Sequence, residues 1–523
     1  MQGTTATTGE RTSPRLRLWI WALLLAGIAL ITAHALTKQP HTDEGDLASA
    51  ATSLLDRGRV AFPMSYEYGP TVRDVYYLAP PFYPAALAAW FTPFGRSLFS
   101  YRLFHVAWAL LLVVSWMRVV RLGSTTAASL AIGAALLGLN YDIVNLGVSR
   151  YDIVCAALNA AALAAYATWR ADRFGRAIVV ANCMLALSAL THPYAVFGLI
   201  GCLALFLACG DWRRLRPSHV LLAVVPYVVA FGAWAAMIGG HWDVMRAQIA
   251  MQAETRAIDY GNPLRVIASD FAARWWGLFA GWREGVPKVM RAKTLFLLLW
   301  AVVPFLALWR RSPAVRPLRI AVLVYTVAAL LILPFTDNMH VQIYNVHVIV
   351  GLSALTAMAA ADAWELWPRL RVPLLLAVGA MCLFAVAAIG FRVRERALQR
   401  EFRPVQAFLA REVAGQDVVI APSELGFGLG FEQHVRDDPT LTSLDRGPMP
   451  KVIVVSRERN DTTPTVVPCS TEPGAPVHDT TAYEDVAIPT PKDSYRVLLR
   501  ATPRDTVAPN ARPVVRIVRN CGI

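Results

Sequence analysis

Three carboxylates within four residues, Asp43, Glu44 and Asp46, follow directly on an apolar run from Leu18 to Leu36. Ionisable groups at a membrane boundary are costly to place, and where they occur they usually serve a function. A carboxylate is ionised at neutral pH, so it can orient a hydroxyl and accept its proton. An aspartate at a helix start is also a good N-cap, and both readings of Asp43 stand on the residues alone. The three acids offer oxygen ligands that suit a hard divalent cation, but nothing in the sequence demands a metal, and the cysteines show no metal-ligand spacing.

Four other groups of polar residues interrupt apolar surroundings. Asn140 to Asp152 repeats Tyr-Asp-Ile-Val ten residues apart and holds Arg150, whose planar fork suits a phosphate and would be expensive against lipid. An ion pair from Arg150 to Asp152 or Asp142 is the plainer alternative. Thr191-His192-Pro193-Tyr194 falls where two apolar runs almost touch. Asp337, His340, Tyr344 and His347 are spaced by three, four and three, which predicts one polar helical face. Arg274-Trp275-Trp276 and Trp282-Arg283-Glu284 pair tryptophan with arginine, a combination that anchors interfaces and also binds sugar faces and phosphates.

The elements that must carry these residues are membrane helices. Hydrophobic residues make up 56% of the 523 and charged residues only 16%, with a mean hydropathy of +0.43, which excludes a soluble globule. The formal charge of +14 does not form a nucleic-acid-binding stripe: the five lysines and 45 arginines sit mostly in turns between apolar runs. Apolar runs near 18–36, 100–117, 124–140, 151–169, 177–191, 193–210, 218–239, 293–309, 317–335, 341–361 and 372–391 predict a mainly α, polytopic bundle of about 11 spans. The first run lacks a convincing cleavage site and is expected to remain as a span.

Arginines occupy alternate connections, at Arg11/Arg15/Arg17, Arg118/Arg121, Arg170/Arg173/Arg176, Arg213/Arg214/Arg216, Arg310/Arg311/Arg316/Arg319 and Arg369/Arg371. Positive charge favours the cytoplasmic side, which places the N-terminal tail (1–17) inside. The loops of about 37–99 and 240–292, and everything after 391, then face outward. In the first loop, Leu47, Ala50, Ala51, Leu54 and Leu55 predict an amphipathic helix on the membrane surface, followed by a stiff aromatic and proline turn at 76–84. The tail from 392 to 523 changes to charged, proline-rich sequence with strand-like runs at 417–420, 451–456, 495–499 and 514–518, which predicts a small extracytoplasmic α/β domain. Gly426 to Gly430 lacks the spacing of a dinucleotide loop. Cys469 and Cys521, the two cysteines outside the apolar runs, either pair or remain free thiols.

The order of these pieces resembles the GT-C type membrane glycosyltransferases, in the bacterial branch related to protein O-mannosyltransferases and the lipid A aminoarabinose transferase. The resemblance is carried by Asp43-Glu44 after the first span, Ala79-Pro80-Pro81-Phe82-Tyr83-Pro84, Gly95 with Arg102, Ser149-Arg150-Tyr151-Asp152, Thr191-His192, and the His340 to His347 segment. It implies a GT-C catalytic domain over 18–391 in an inner (plasma) membrane. It also implies inverting transfer from a polyprenyl-phosphate sugar to a glycan, lipid or protein acceptor on the outer side, with no certain cofactor. Asp43 would be the base and Glu44 its neighbour. Asp46, Arg102, Arg150, Asp152, His192, His340, Tyr344 and His347 would contact substrate, with Arg150 first among the donors to the leaving phosphate. His192 stands where relatives often carry lysine. A transporter or flippase for lipid-linked sugars is the rival reading, since the same charges would line a pathway. The lack of internal repeats, the acid-bearing first loop and the asymmetric tail weigh against it.

Overall fold

A computed structural model describes residues 13–66, 70–124, 126–255, 262–309, 313–337, 339–415, 417–438, 450–456, 466–468, 478–486, 488–492, 494–500 and 514–520. Cys469, Cys521, Arg11, Arg310 and Arg311 lie outside them. The chain divides into two compact units. One gathers residues 1–34, 105–240 and 249–391, and the other gathers 35–104, 241–248 and 392–523.

The first unit is helical, and each apolar run in it forms a helix. Among the described residues, eight helices are long and apolar enough to cross a membrane, and three shorter apolar ones lie at Ala128–Gly138, Phe174–Ala189 and Ala195–Ala208. The chain is therefore a multi-pass membrane protein. Helix Val346–Leu366 forms the centre, buried on nearly every face, as a helix apolar all round must be. Ala128–Gly138, Thr294–Trp309 and Arg316–Ile332 pack against it, and Asp152–Trp169 packs on Phe174–Ala189. Helices Pro14–Ala35, Pro217–Ile238 and Arg371–Glu395 instead expose Leu18, Trp21, Val228, Val229, Leu375 and Leu383, side chains that suit lipid.

Small residues let these helices meet. A Cβ at Gly27 would lie 2.3 Å from the Gly138 carbonyl oxygen, so the first helix and Ala128–Gly138 touch backbone to backbone. Arginine also has internal work here: Arg319 is buried, donates to the Gly123 carbonyl (2.7 Å) and pairs with Asp362. Arg170 pairs with Asp211 (2.8 Å), which also accepts from Tyr166. These arginines satisfy helix ends and buried acids.

The second unit is built on helix Thr42–Arg57. The expectation of a surface helix is corrected: Glu44 to Ser53 are buried almost without interruption, because the helix packs between helix Phe82–Phe94 and the turn at Ser423–Leu425. The aromatic turn belongs to this interior as well, with Tyr77 and Tyr83 buried. The C-terminal part forms a seven-stranded sheet, β1 (Val419–Ile420), β2 (Val435–Arg436), β3 (Val452–Ser456), β4 (Val466–Pro468), β5 (His478–Val486), β6 (Tyr495–Arg500) and β7 (Val514–Asn520). Its order is β2-β1-β3-β6-β5-β7-β4, parallel at β1–β2, β1–β3 and β4–β7 and antiparallel elsewhere. β2, β4 and β5 were not expected from the sequence. The first two are only two and three residues long, and β5 carries the polar run His-Asp-Thr-Thr.

The Gly27 contact gives a direct test of the bundle. Gly27→Ala is expected to destabilise the protein by about 1–3 kcal/mol, through overpacking against backbone that cannot yield. Gly232→Ala, where nothing lies within 4 Å of the new Cβ, is expected to be neutral or stabilising. Thermal unfolding in one detergent, compared across both variants, reads the difference.

Candidate functional site

In the second unit the acids are sorted by their partners. Helix Thr42–Arg57 starts at His41, not at an aspartate. His41 has extended backbone and closes a capping box in which its amide donates to Glu44 Oε1 (3.2 Å). His41 Nδ1 lies 3.2 Å from the Asp43 amide and 3.3 Å from Asp43 Oδ2. A neutral ring accepts from the first, and a protonated ring donates to the second. The hydrogen bond to Asp43 raises the His41 pKa above the ordinary histidine value. A raised histidine stabilises the fold fully below its unfolded value, about 6.5, and that contribution fades as pH rises through the folded value.

Glu44 and Arg102 are both buried and held by each other, with Arg102 Nε 2.9 Å from Oε2 and Nη2 3.2 Å from Oε1. Arg102 Nη1 donates to the carbonyls of Ala35 (2.7 Å) and Lys38 (2.8 Å). The pair thus fixes both the end of the first helix and the start of the next. Asp43, by contrast, keeps a third of its side chain open to solvent. Lys38 is half-buried by its exposure, yet the protein around its ammonium pushes the pKa down to about 8; Glu44 and Asp43 oppose that fall, while Arg102 and Arg392 add to it. Lys38 and Arg392 were missed in the sequence reading. A lone lysine ahead of the acids, and the first arginine of the tail, were the available signals.

In the first unit, Arg150 donates from Nε to Asp152 (3.1 Å) and from Nη2 to the Tyr151 hydroxyl (3.2 Å). Of the two partners considered for Arg150, Asp152 is the one found; Asp142 binds buried Lys293 instead, at 2.8 Å. The Arg150 guanidinium also faces the rings of Tyr151 (5.1 Å) and Tyr344 (5.8 Å). His192 stacks on Tyr151 at 5.1 Å and leans on Tyr194 and Tyr344. His347 is fully buried against Tyr194 and Phe197. The structure therefore brings Arg150, Asp152, His192, Tyr344 and His347 into one aromatic-walled cluster.

His340 does not join it. The expected single face over 337–347 is broken: 336, 337 and 339–341 are not helical, His340 has φ +53°, and the next helical turn starts at Gln342. A non-glycine residue at positive φ is uncommon and must be held in place. Here Asp270 Oδ1 contacts His340 Nδ1 at 2.8 Å, and buried Arg274 binds Asp270 (2.9 Å), Asp337 (3.0 Å) and the Val341 carbonyl (2.8 Å). Arg274 was expected to be an interfacial residue. Its i,i+4 spacing from Asp270 was the overlooked sign. No group of three or more metal-ligating side chains gathers among the described residues, Asp43, Glu44 and Asp46 included.

The fold that carries these two sites is the GT-C type fold of membrane glycosyltransferases. The ArnT of Cupriavidus metallidurans, solved bound to undecaprenyl phosphate, superposes with a TM-score of 0.57 at 16% identity, covering 95% of this chain and 99% of that one. Its apo form gives 0.58 at 15%, covering 92% and 98%. An oligosaccharyltransferase of Archaeoglobus fulgidus gives 0.49 at 12%, covering 84% and 70%. No family model and no curated protein matches the sequence.

Breaking the buried pair tests its structural role. Arg102→Met is expected to cost about 3–5 kcal/mol by leaving Glu44 buried and uncompensated. The double change Glu44→Leu/Arg102→Met recovers part of that, less the bonds to Ala35 and Lys38. Equal melting temperatures for the single and double variants would contradict this account.

Proposed function

We propose that the protein is an inverting glycosyltransferase that moves a sugar from a polyprenyl-phosphate donor to an acceptor hydroxyl on the outer side of a plasma membrane. The observation that carries this reading is the match, over nearly the full length of both chains, to a transferase structure holding undecaprenyl phosphate. The proposal includes about 11 spans, a cytoplasmic N-terminus and an outward C-terminal domain. The acceptor is a glycan, lipid or protein.

Asp43 is the proposed general base. Its side chain keeps a third of its surface open to solvent, whereas Glu44 is committed to Arg102. The acceptor oxygen attacks the anomeric carbon as its proton passes to Asp43, and the bond from that carbon to the phosphate oxygen breaks. The departing phosphate monoester needs cations or donors. Arg150 is the proposed donor in its own unit, framed by Tyr344 and His192, and Lys38 and Arg392 offer charge in the unit that holds Asp43. Glu44 and Arg102 then support the site and do not contact substrate. Asp46, Asp152, His340 and His347 remain candidates for contact or support.

Asp43→Asn is expected to lower transfer from an undecaprenyl-phosphate sugar by at least about a hundredfold, the scale of a lost general base, with unchanged unfolding temperature. Near-normal turnover by that variant would remove Asp43 as base. The pH profile gives a second test. Turnover is expected to rise as His41 loses its proton and releases Asp43, and to fall above about 8 as Lys38 loses its charge. His41→Asn, which preserves a capping side chain, is expected to flatten the acid limb, and Lys38→Arg is expected to move the alkaline limb upward. Topology is tested separately in a cysteine-free background: Arg59→Cys reacts with an impermeant maleimide added outside, and Ala314→Cys does not.

A further inference from the structure

The C-terminal segment reaches the helix that bears Asp43 through one short turn. Ser423 Oγ donates to the Thr42 carbonyl at 2.7 Å, and the Ser423 amide is held by Asp437 Oδ2 at 3.1 Å. A Cβ on Gly45 would fall 2.1 Å from the Ser423 carbonyl and 2.4 Å from the Glu424 amide nitrogen, so the turn rests against the helix backbone itself. Glu424 is 3% exposed. Its Oε1 accepts from the Tyr495 hydroxyl (3.0 Å), which in turn accepts from Gln39 Nε2 (3.3 Å), one residue before Pro40. Its Oε2 is buried with no hydrogen-bond partner among the described residues.

We propose that Glu424 is a positioning residue for Asp43: as a neutral acid, it and Ser423 clamp the first turn of helix Thr42–Arg57 and fix the direction of the base. This rests on the reading of Asp43 given above. A buried carboxylate with one oxygen unpaired would be costly, whereas the neutral acid tolerates that setting. Burial first, and then the charge of Asp437, push the Glu424 carboxyl up to about 7; its own backbone amide, the Tyr495 hydrogen bond and the charge of His41 oppose this. The ionisable groups on the elements packed against it are Arg436, Asp437 and Asp438 at the end of β2, Tyr495 on β6, His41 at the helix cap, and Asp43, Glu44 and Asp46 on the helix, with Glu44 neutralised by Arg102. A raised acid stabilises the clamp fully below its unfolded value, near 4.5, and that support is lost as pH rises through about 7. The clamp therefore loosens on the alkaline side, and the base with it.

Hydrogen exchange of amides 41–46 in the full-length protein in nanodiscs reads the clamp without any substrate. Between pH 6 and 8, after correction for intrinsic rates, wild-type protection is expected to fall about tenfold, the ratio set by an acid titrating near 7 when closed and near 4.5 when open. In Glu424→Gln that tenfold component is expected to be absent, leaving only the smaller fall that His41 contributes as it loses its proton. Ser423→Ala, which keeps Glu424, is expected to exchange faster at both. With an undecaprenyl-phosphate sugar as donor, Glu424→Gln is expected to lose less of its kcat between pH 6 and 8 than wild type, the part due to Lys38 remaining, with KM unchanged. Identical pH dependence of exchange in wild type and Glu424→Gln overturns the proposal. If exchange behaves as expected but wild type shows no transfer, the clamp stands and the glycosyltransferase reading fails.

Discussion

The second unit depends on one buried ion pair. Glu44 and Arg102 are both out of solvent, and each would be expensive there alone. Together they satisfy the amide of His41, the carbonyls of Ala35 and Lys38, and each other. That ties the end of the first helix to the first turn of the next. Asp43 is left at the second helical position, a third of its side chain open to solvent, beside the buried Glu44. Two adjacent carboxylates are thus divided by environment alone: the buried one is held in an ion pair, and the more exposed one is the proposed base.

The same rule governs the first unit. Within a helical bundle every ionised group needs a partner, and the partners come from the chain: Asp142 for Lys293, Asp211 for Arg170, Asp362 for Arg319, and Asp270 and Asp337 for Arg274. Arg150 is paired too, but its guanidinium also faces two tyrosine rings, one of them stacked on His192. That is the setting in which an arginine can exchange part of its bonding for a phosphate. The buried pairs are fixed points of the bundle, and the Arg150 cluster is the proposed site for the leaving phosphate.

Much of this was legible in the sequence because it follows from local rules. Apolar runs long enough for a bilayer became helices, and Asp43 was singled out because acids beside such a run are costly. The Arg150–Asp152 pair could be read because only Tyr151 separates the partners. What was not legible depended on distant partners or on backbone geometry. Nothing near Glu44 announces that a residue 58 positions later will neutralise it. The polar stripe over 337–347 has helical spacing, yet Pro334 and the left-handed His340 end the helix, so half of the stripe joins Arg274 and the other half joins His192. The surface-helix reading failed because the covering turn, Ser423–Leu425, lies almost four hundred residues away in the chain. Strands β2 and β4 are too short to leave a pattern.

The central claim is a single displacement in which a sugar leaves polyprenyl phosphate as an acceptor hydroxyl, deprotonated by Asp43, attacks. The most direct measurement is the fate of both halves of an undecaprenyl-phosphate sugar of known anomeric configuration, incubated with the purified protein and a membrane extract as the source of acceptor. The account predicts undecaprenyl phosphate and glycosylated acceptor in one-to-one yield, with the anomeric configuration inverted by NMR. A product of retained configuration, or transport of the intact donor across vesicles without release of undecaprenyl phosphate, would contradict it.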